Sequence, residues 1–194
     1  MNPTADRQNT PAAPRITELA QSAGFTRHAV FDTAILRPIP EVREMCRADR
    51  CREYGKNWAC PPACGTLEHC EQRIRRYVKG ILVQTTGELE GEFDADGIHE
   101  AERRHKKSFS TLVRQVRILD PDCLPLSAGT CTLCESCTCP DRPCRFPKKR
   151  LSSMEAFGLL VSDVCRDAGL GYYYGPGTIT FSSCILLKKG VDLL

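Results

Sequence analysis

Apolar residues recur along the chain at two spacings, and the changes between them mark the elements. Residues 16–23 alternate at helical spacing until Gly24 stops the run. Residues 29–36 (AVFDTAIL) form an apolar stretch that reads as a strand, ended by Pro38 and Pro40. Thr66 is placed to cap a helix reaching Tyr77, in which Leu67, Cys70, Ile74 and Tyr77 share a side. Gly80 breaks that helix, and residues 81–85 (ILVQT) read as a buried strand. A polar, glycine-rich loop follows at 87–97. Phe109, Leu112, Val113, Val116 and Leu119 then mark the inner side of a long helix over 98–119, with Arg103, Arg104, Lys106 and Lys107 on its other side. Ser152 or Ser153 caps a helix over 154–167, closed by Gly169 and Gly171. Residues 178–187 (TITFSSCILL) are the last strand.

Helices alternating with apolar strands predict a small α/β or α+β fold: a sheet of about three to four strands, covering helices, and two cysteine-rich metal-binding loops. The 194 residues suit one domain, taken as 15–194, behind a start at 1–14 that is rich in Pro, Thr, Asn and Ala and expected to be disordered. Hydrophobic residues make up 41% and charged residues 26%, so a core can form without help from metal. The net charge of +3 is too small to argue for nucleic acid or a membrane surface. Glu100 and Glu102 flank the basic residues of the long helix, which further weakens a nucleic-acid role. No stretch approaches the ~20 apolar residues of a membrane helix.

Cysteine changes the picture. There are 13, an odd number, and most fall between Cys46 and Cys70 or between Cys123 and Cys144. No basic flank followed by an apolar stretch opens the chain, so a cytoplasmic location is expected. In that reducing compartment thiols stay free for metal or redox chemistry instead of pairing as disulfides.

The sharper spacing is Cys131-x2-Cys134-x2-Cys137, followed by Cys139-Pro140 and Cys144. Three cysteines at this pitch turn a loop back on itself, as iron–sulfur loops do, whereas zinc sites more often use two separate knuckles. Cys139 lies too near Cys137 for an easy fourth corner, and Cys144 has the slack to come round. The expected cofactor is therefore one or two [4Fe–4S] clusters, with zinc as the alternative. The first group, Cys46-x4-Cys51-x8-Cys60-x3-Cys64, can close one zinc or one cluster, and its metal is left open. Cys70 belongs to an apolar helix stripe, and Cys123, Cys165 and Cys184 read as buried small hydrophobes. The C-x3-C-x2-C spacing of radical S-adenosylmethionine enzymes fails, because Cys60 and Cys64 are followed only by Cys70.

At VREMCRADRCREYGKNWACPP, and again at GTCTLCESCTCPDRPCRFPKKRLSSMEAFGLLVSDVC, the chain resembles a widespread bacterial and archaeal family of predicted metal-binding proteins of unknown function, from about residue 15 onward. The resemblance implies Cys46, Cys51 and Cys60 in the first block and Cys131, Cys134, Cys137 and Cys144 in the second. It does not require Cys64 or Cys139, and Cys184 looks like a feature of a subset. Three ligands in the first block leave an open corner for substrate, solvent or a fourth ligand from elsewhere, which Cys64, Cys165 or Cys184 could also fill; Cys139 and Cys184 are possible extra ligands.

Lys56 and Asn57 stand between two candidate ligands, either to temper cluster charge or to build a tight turn. Arg145, Lys148, Lys149 and Arg150 either steer an acidic redox partner or form a solvated basic surface. The four histidines show no ligand spacing, and no nucleophile with a base pattern is visible. Electron transfer or redox sensing, with a possible redox partner protein, is thus the expected role. A zinc-stapled interaction module and an enzyme with an open cluster corner are the alternatives.

Overall fold

A computed structural model gives the fold, and it describes residues 15–91 and 94–188. The start expected to be disordered lies outside the described residues. Four strands form one antiparallel sheet: β1 (Arg27–Asp32), β2 (Lys79–Glu88), β3 (Leu124–Leu126) and β4 (Thr178–Leu187), in the order β1-β2-β4-β3. β2 and β4 pair along their whole length, from Lys79 opposite Leu187 to Glu88 opposite Thr178.

Strand side chains alternate between faces, so the two central strands bury apolar groups on both sides. Ile81, Val83, Ile185 and Leu187 face α1 (Ile16–Ser22) and α4 (Ala95–Leu119), meeting Ile16, Leu19, Phe109, Leu112 and Val116. Leu82, Cys184 and Leu186 face the other way, towards α3 (Leu67–Ile74) and α5 (Val161–Asp167), meeting Cys70, Ile74, Phe157, Val164 and Cys165. The result is a mixed α/β fold in layers, with cysteine-rich loops attached at its margin. Cys165 and Cys184 are fully buried and Cys123 nearly so, as small hydrophobes would be.

Several expectations are corrected. The first strand ends at Asp32, because the Asp32 carboxylate accepts the Ala34 N–H at 2.9 Å and turns residues 33–35 into a 3-10 helix. Pro40 starts a helix and ends no strand: α2 (Pro40–Arg47) places it in the first turn, where its missing N–H costs nothing. Thr66 does cap α3, accepting the His69 N–H at 3.2 Å, but the helix stops at Ile74. α4 starts at Ala95, capped by Asp94, earlier than the apolar pattern indicates. The helix expected over 154–167 is broken. Glu155–Phe157 is a 3-10 turn ended by Gly158 at φ 78°, and α5 begins only at Val161. A side chain at 158 would run into Leu67 and press on the Ile39 backbone.

Candidate metal centre

The second cysteine segment is a loop excursion closed at its base. Ser127 N–H donates to the Ser152 carbonyl at 2.8 Å, and Met154 N–H donates to the Ser127 carbonyl at 3.3 Å. α4 holds its start, through Lys106 Nζ on the Thr130 carbonyl at 3.0 Å. Within the loop, Arg145 bonds the Ser136 carbonyl at 2.8 Å and Thr138 Oγ1 bonds the Pro143 carbonyl at 2.9 Å, folding the strand of cysteines back on itself.

Cys131, Cys134, Cys137 and Cys144 all line one cavity of about 60 Å3. A backbone N–H points at sulfur in this group: Phe146 N lies 3.4 Å from Cys144 Sγ. Cys139 stands apart, with its Sγ donating to the Gly55 carbonyl at 3.6 Å.

The first segment leaves α2 at Cys46 and turns tightly, with Asp49 and Arg52 both at positive φ around Cys51. Asp49 accepts the Tyr54 N–H at 2.8 Å and pairs with Lys56 at 3.5 Å, so Lys56 is spent on this turn. Cys46, Cys51 and Cys60 line a larger cavity of about 510 Å3, walled mainly by apolar groups such as Val42, Met45, Tyr54 and Leu160.

Cys64 is not on that wall. It is buried against the Ala156 carbonyl (3.5 Å) and shares with Cys70 the Arg43 guanidinium, which lies 3.8 Å from each sulfur. Arg43 also donates to the Ala156 carbonyl at 2.6 Å and the Gly65 carbonyl at 2.7 Å. Cys184 lies in the sheet core, far from solvent.

The two segments interleave. Asn57 is almost fully buried: its Nδ2 donates to Glu53 at 2.8 Å and to the Cys131 carbonyl at 3.1 Å, while its Oδ1 accepts the Ala59 N–H at 3.0 Å. Trp58 Nε1 donates to the Arg142 carbonyl at 3.0 Å. Glu53, Asn57 and Trp58 from the first block therefore line the second group's cavity, and Gly129 and Thr130 line the first group's.

Burial, first of all, raises the pKa of three of these thiols, Cys46, Cys60 and Cys131. It pushes Cys60 up to about 12, helped by the charges of Cys51, Glu53, Cys64 and Cys46. Burial also raises Cys46, with Glu155 as the next cause, and raises Cys131, where the Leu133 N–H works in the opposite sense. A thiol raised in this way ionises when a cation joins it, which is the behaviour of a thiolate metal ligand.

Among the described residues, no three His, Cys, Asp or Glu side chains converge closely enough to enclose a bare ion, so binding requires the thiols to turn inward. The donor set fits a soft metal or an iron–sulfur group, since every candidate lining cysteine is free and an N–H donor already faces Cys144 Sγ.

Arg43 and Glu155 escaped the sequence reading, for neither lies in a spaced motif. No helix among the described residues is long and apolar enough to cross a membrane. A family model described as predicted metal-binding protein (DUF2284) matches residues 29–187. No curated protein and no solved structure matches the chain.

Proposed function

The chain belongs to that family of predicted metal-binding proteins, and on this basis we propose that it is an iron–sulfur protein of the reducing cytoplasm that transfers electrons or senses redox state. Cys131, Cys134, Cys137 and Cys144 would hold a [4Fe–4S] cluster, and Cys46, Cys51 and Cys60 a second metal centre. Such clusters supply one-electron chemistry at potentials set by charge, burial and hydrogen bonds to sulfur.

The observation that carries this reading is the interleaving of the two cysteine segments, each of which lends residues to the lining of the other's cavity. The Asn57 side chain and Trp58 indole bridge one loop to the other, so two centres held there would be neighbours coupled through hydrogen-bonded backbone. The Phe146 N–H on Cys144 favours negative sulfur and would make a reduced, more negative centre less costly. Leu133 and Phe146 are themselves exposed, 46% and 39%, beside Arg145 and Lys149. An acidic redox partner protein would meet both apolar contact and opposite charge on that surface.

A second reading is favoured by the 510 Å3 cavity. Three thiols facing an apolar space suit an enzyme in which one metal corner receives a substrate.

Strictly anaerobic purification tests the proposal, with iron, acid-labile sulfide and zinc assayed per chain beside a visible spectrum. Brown protein with iron and sulfide in equal amounts is expected. Colourless protein with stoichiometric zinc and no sulfide refutes the cluster and leaves a zinc-stapled module.

A further inference from the structure

The 3-10 turn Glu155–Phe157 brings a carboxylate to the wall of the cavity that Cys46, Cys51 and Cys60 line. Its backbone is already tied to that group: the Cys46 thiol faces the Glu155 carbonyl at 3.8 Å. The side chain is anomalous. Glu155 Oε2 is buried and has no hydrogen-bond partner among the described residues. The residue as a whole is only half-buried, but a buried carboxylate oxygen left unmatched is costly, and proteins rarely retain one without a partner.

No cation repairs it. Among the described residues Glu155 makes no ion pair, and the nearby Arg43 spends its guanidinium on the carbonyls of Ala156 and Gly65. Three thiols and one unpartnered carboxylate thus line a single cavity, and they would have to turn inward to meet on one ion.

We propose that Glu155 is the fourth ligand of the metal held by Cys46, Cys51 and Cys60, and that Cys64 is not. This rests on the reading of the first group as a metal centre. Cys64 points at Ala156, Arg43 and Cys70 and is absent from the cavity wall, whereas Glu155 is on it. A carboxylate oxygen is a harder and more readily exchanged donor than a thiolate on iron or zinc. The corner it occupies is therefore the one that opens. A small, mainly apolar molecule bearing one oxygen or nitrogen donor fits a cavity with Val42, Met45, Tyr54 and Leu160 on its walls.

The test uses the full chain, purified without oxygen, with iron, sulfide and zinc counted per chain and electron paramagnetic resonance recorded on the reduced protein. Cys46→Ser first establishes which metal belongs to this group. Glu155→Gln keeps the shape of the side chain but offers a far poorer donor. It should weaken that metal's retention against a chelator by at least ~10-fold while the content of the Cys131 group and the melting temperature stay near wild type. Glu155→Cys should restore retention and change the resonance signal, as a thiolate replaces an oxygen. Cys64→Ser should leave both unchanged. A Glu155→Gln protein with wild-type retention and signal overturns the assignment while the metal centre stands, as does a Cys64→Ser protein that loses the metal. If Cys46→Ser loses no metal at all, the first group is not a centre, and both readings fall together.

Discussion

At the scale of single residues, the side chain between the two cysteine loops matters as much as the sulfurs. Asn57 satisfies its own turn with Oδ1 and donates from Nδ2 to the first residue of the second cysteine run, all while almost fully buried. Asn57→Ala leaves the Ala59 N–H and the Cys131 carbonyl each short of a partner. The expected cost is about 1–3 kcal/mol, since buried polar groups lose their desolvation energy without return. Thermal unfolding should drop by several degrees, and metal should leave the Cys131 group faster when a chelator is added. A variant that melts earlier yet releases metal at the wild-type rate would show that the bridge stabilises the fold alone. The Asn57 role was half legible. A polar residue between spaced cysteines suggested either a turn or a donor, but its partner carbonyl lies in the other block, and no local spacing reveals that. The clustering of Cys131, Cys134, Cys137 and Cys144 on one cavity was open to reading because a two-residue pitch is itself local geometry. Glu155 was not, because a lone acid after a basic run carries no pattern.

At the scale of elements, the sheet was the easiest part to read and the short pieces were the hardest. The strand over 178–187 is central, its last six residues are buried, and it ends in the unbroken apolar run 184–187. β3 is only three residues, below the length at which alternation can be seen, and α2 hides behind two prolines that also signal a break. Gly158 divides the expected helix because it sits at positive φ, and hydrophobic spacing carries no record of φ. Two measurements follow. Gly158→Ala forces both a left-handed backbone and a contact with Leu67, whereas Gly24→Ala, also at positive φ, meets nothing nearby. The second should cost about 1–2 kcal/mol from the backbone alone, and the first distinctly more, by urea unfolding. Equal losses would mean that Leu67 yields freely. His105 joins α4 to the sheet, bonding Thr85 Oγ1 at 2.9 Å and Ser183 Oγ at 2.7 Å. Burial, then the charge of Lys106, lowers its pKa to about 3. Between pH 6.5 and 3 the unfolded chain therefore holds a proton that the native state refuses. Stability is full above pH 6.5 and falls as pH drops, by up to ~1.4 kcal/mol per pH unit. His105→Gln lacks this term, so the wild-type lead in urea midpoint should shrink between pH 8 and pH 5. A constant lead across that range would rule the mechanism out.

At the scale of the whole molecule, two kinds of cohesion are laid side by side. The sheet and its covering helices hold two apolar clusters, one on each face, and neither includes a cysteine from Cys46 to Cys60 or from Cys131 to Cys144. Between Leu126 and Glu155 no helix or strand is formed, and Leu133 and Phe146 are exposed instead of packed. A loop of that length with so little buried apolar surface must draw its order from elsewhere, from hydrogen bonds at its margins and, on the proposed reading, from thiolate ligation. Ser127 and Ser152 close its base, while Asn57, Trp58 and Lys106 hold it at three more points. Removing the metal should therefore leave the sheet standing and loosen the cysteine loops, with thiols returning to the protonated state that burial favours at Cys60 and Cys131. Hydrogen exchange after anaerobic chelation is the direct measurement. Amides of β2, β4 and the inner side of α4 should keep their protection, while those of residues 129–150 exchange at least ~10-fold faster. If the sheet amides lose protection in step with the loop, the metal is part of one cooperative core, and the division between an apolar scaffold and a metal-ordered margin is wrong.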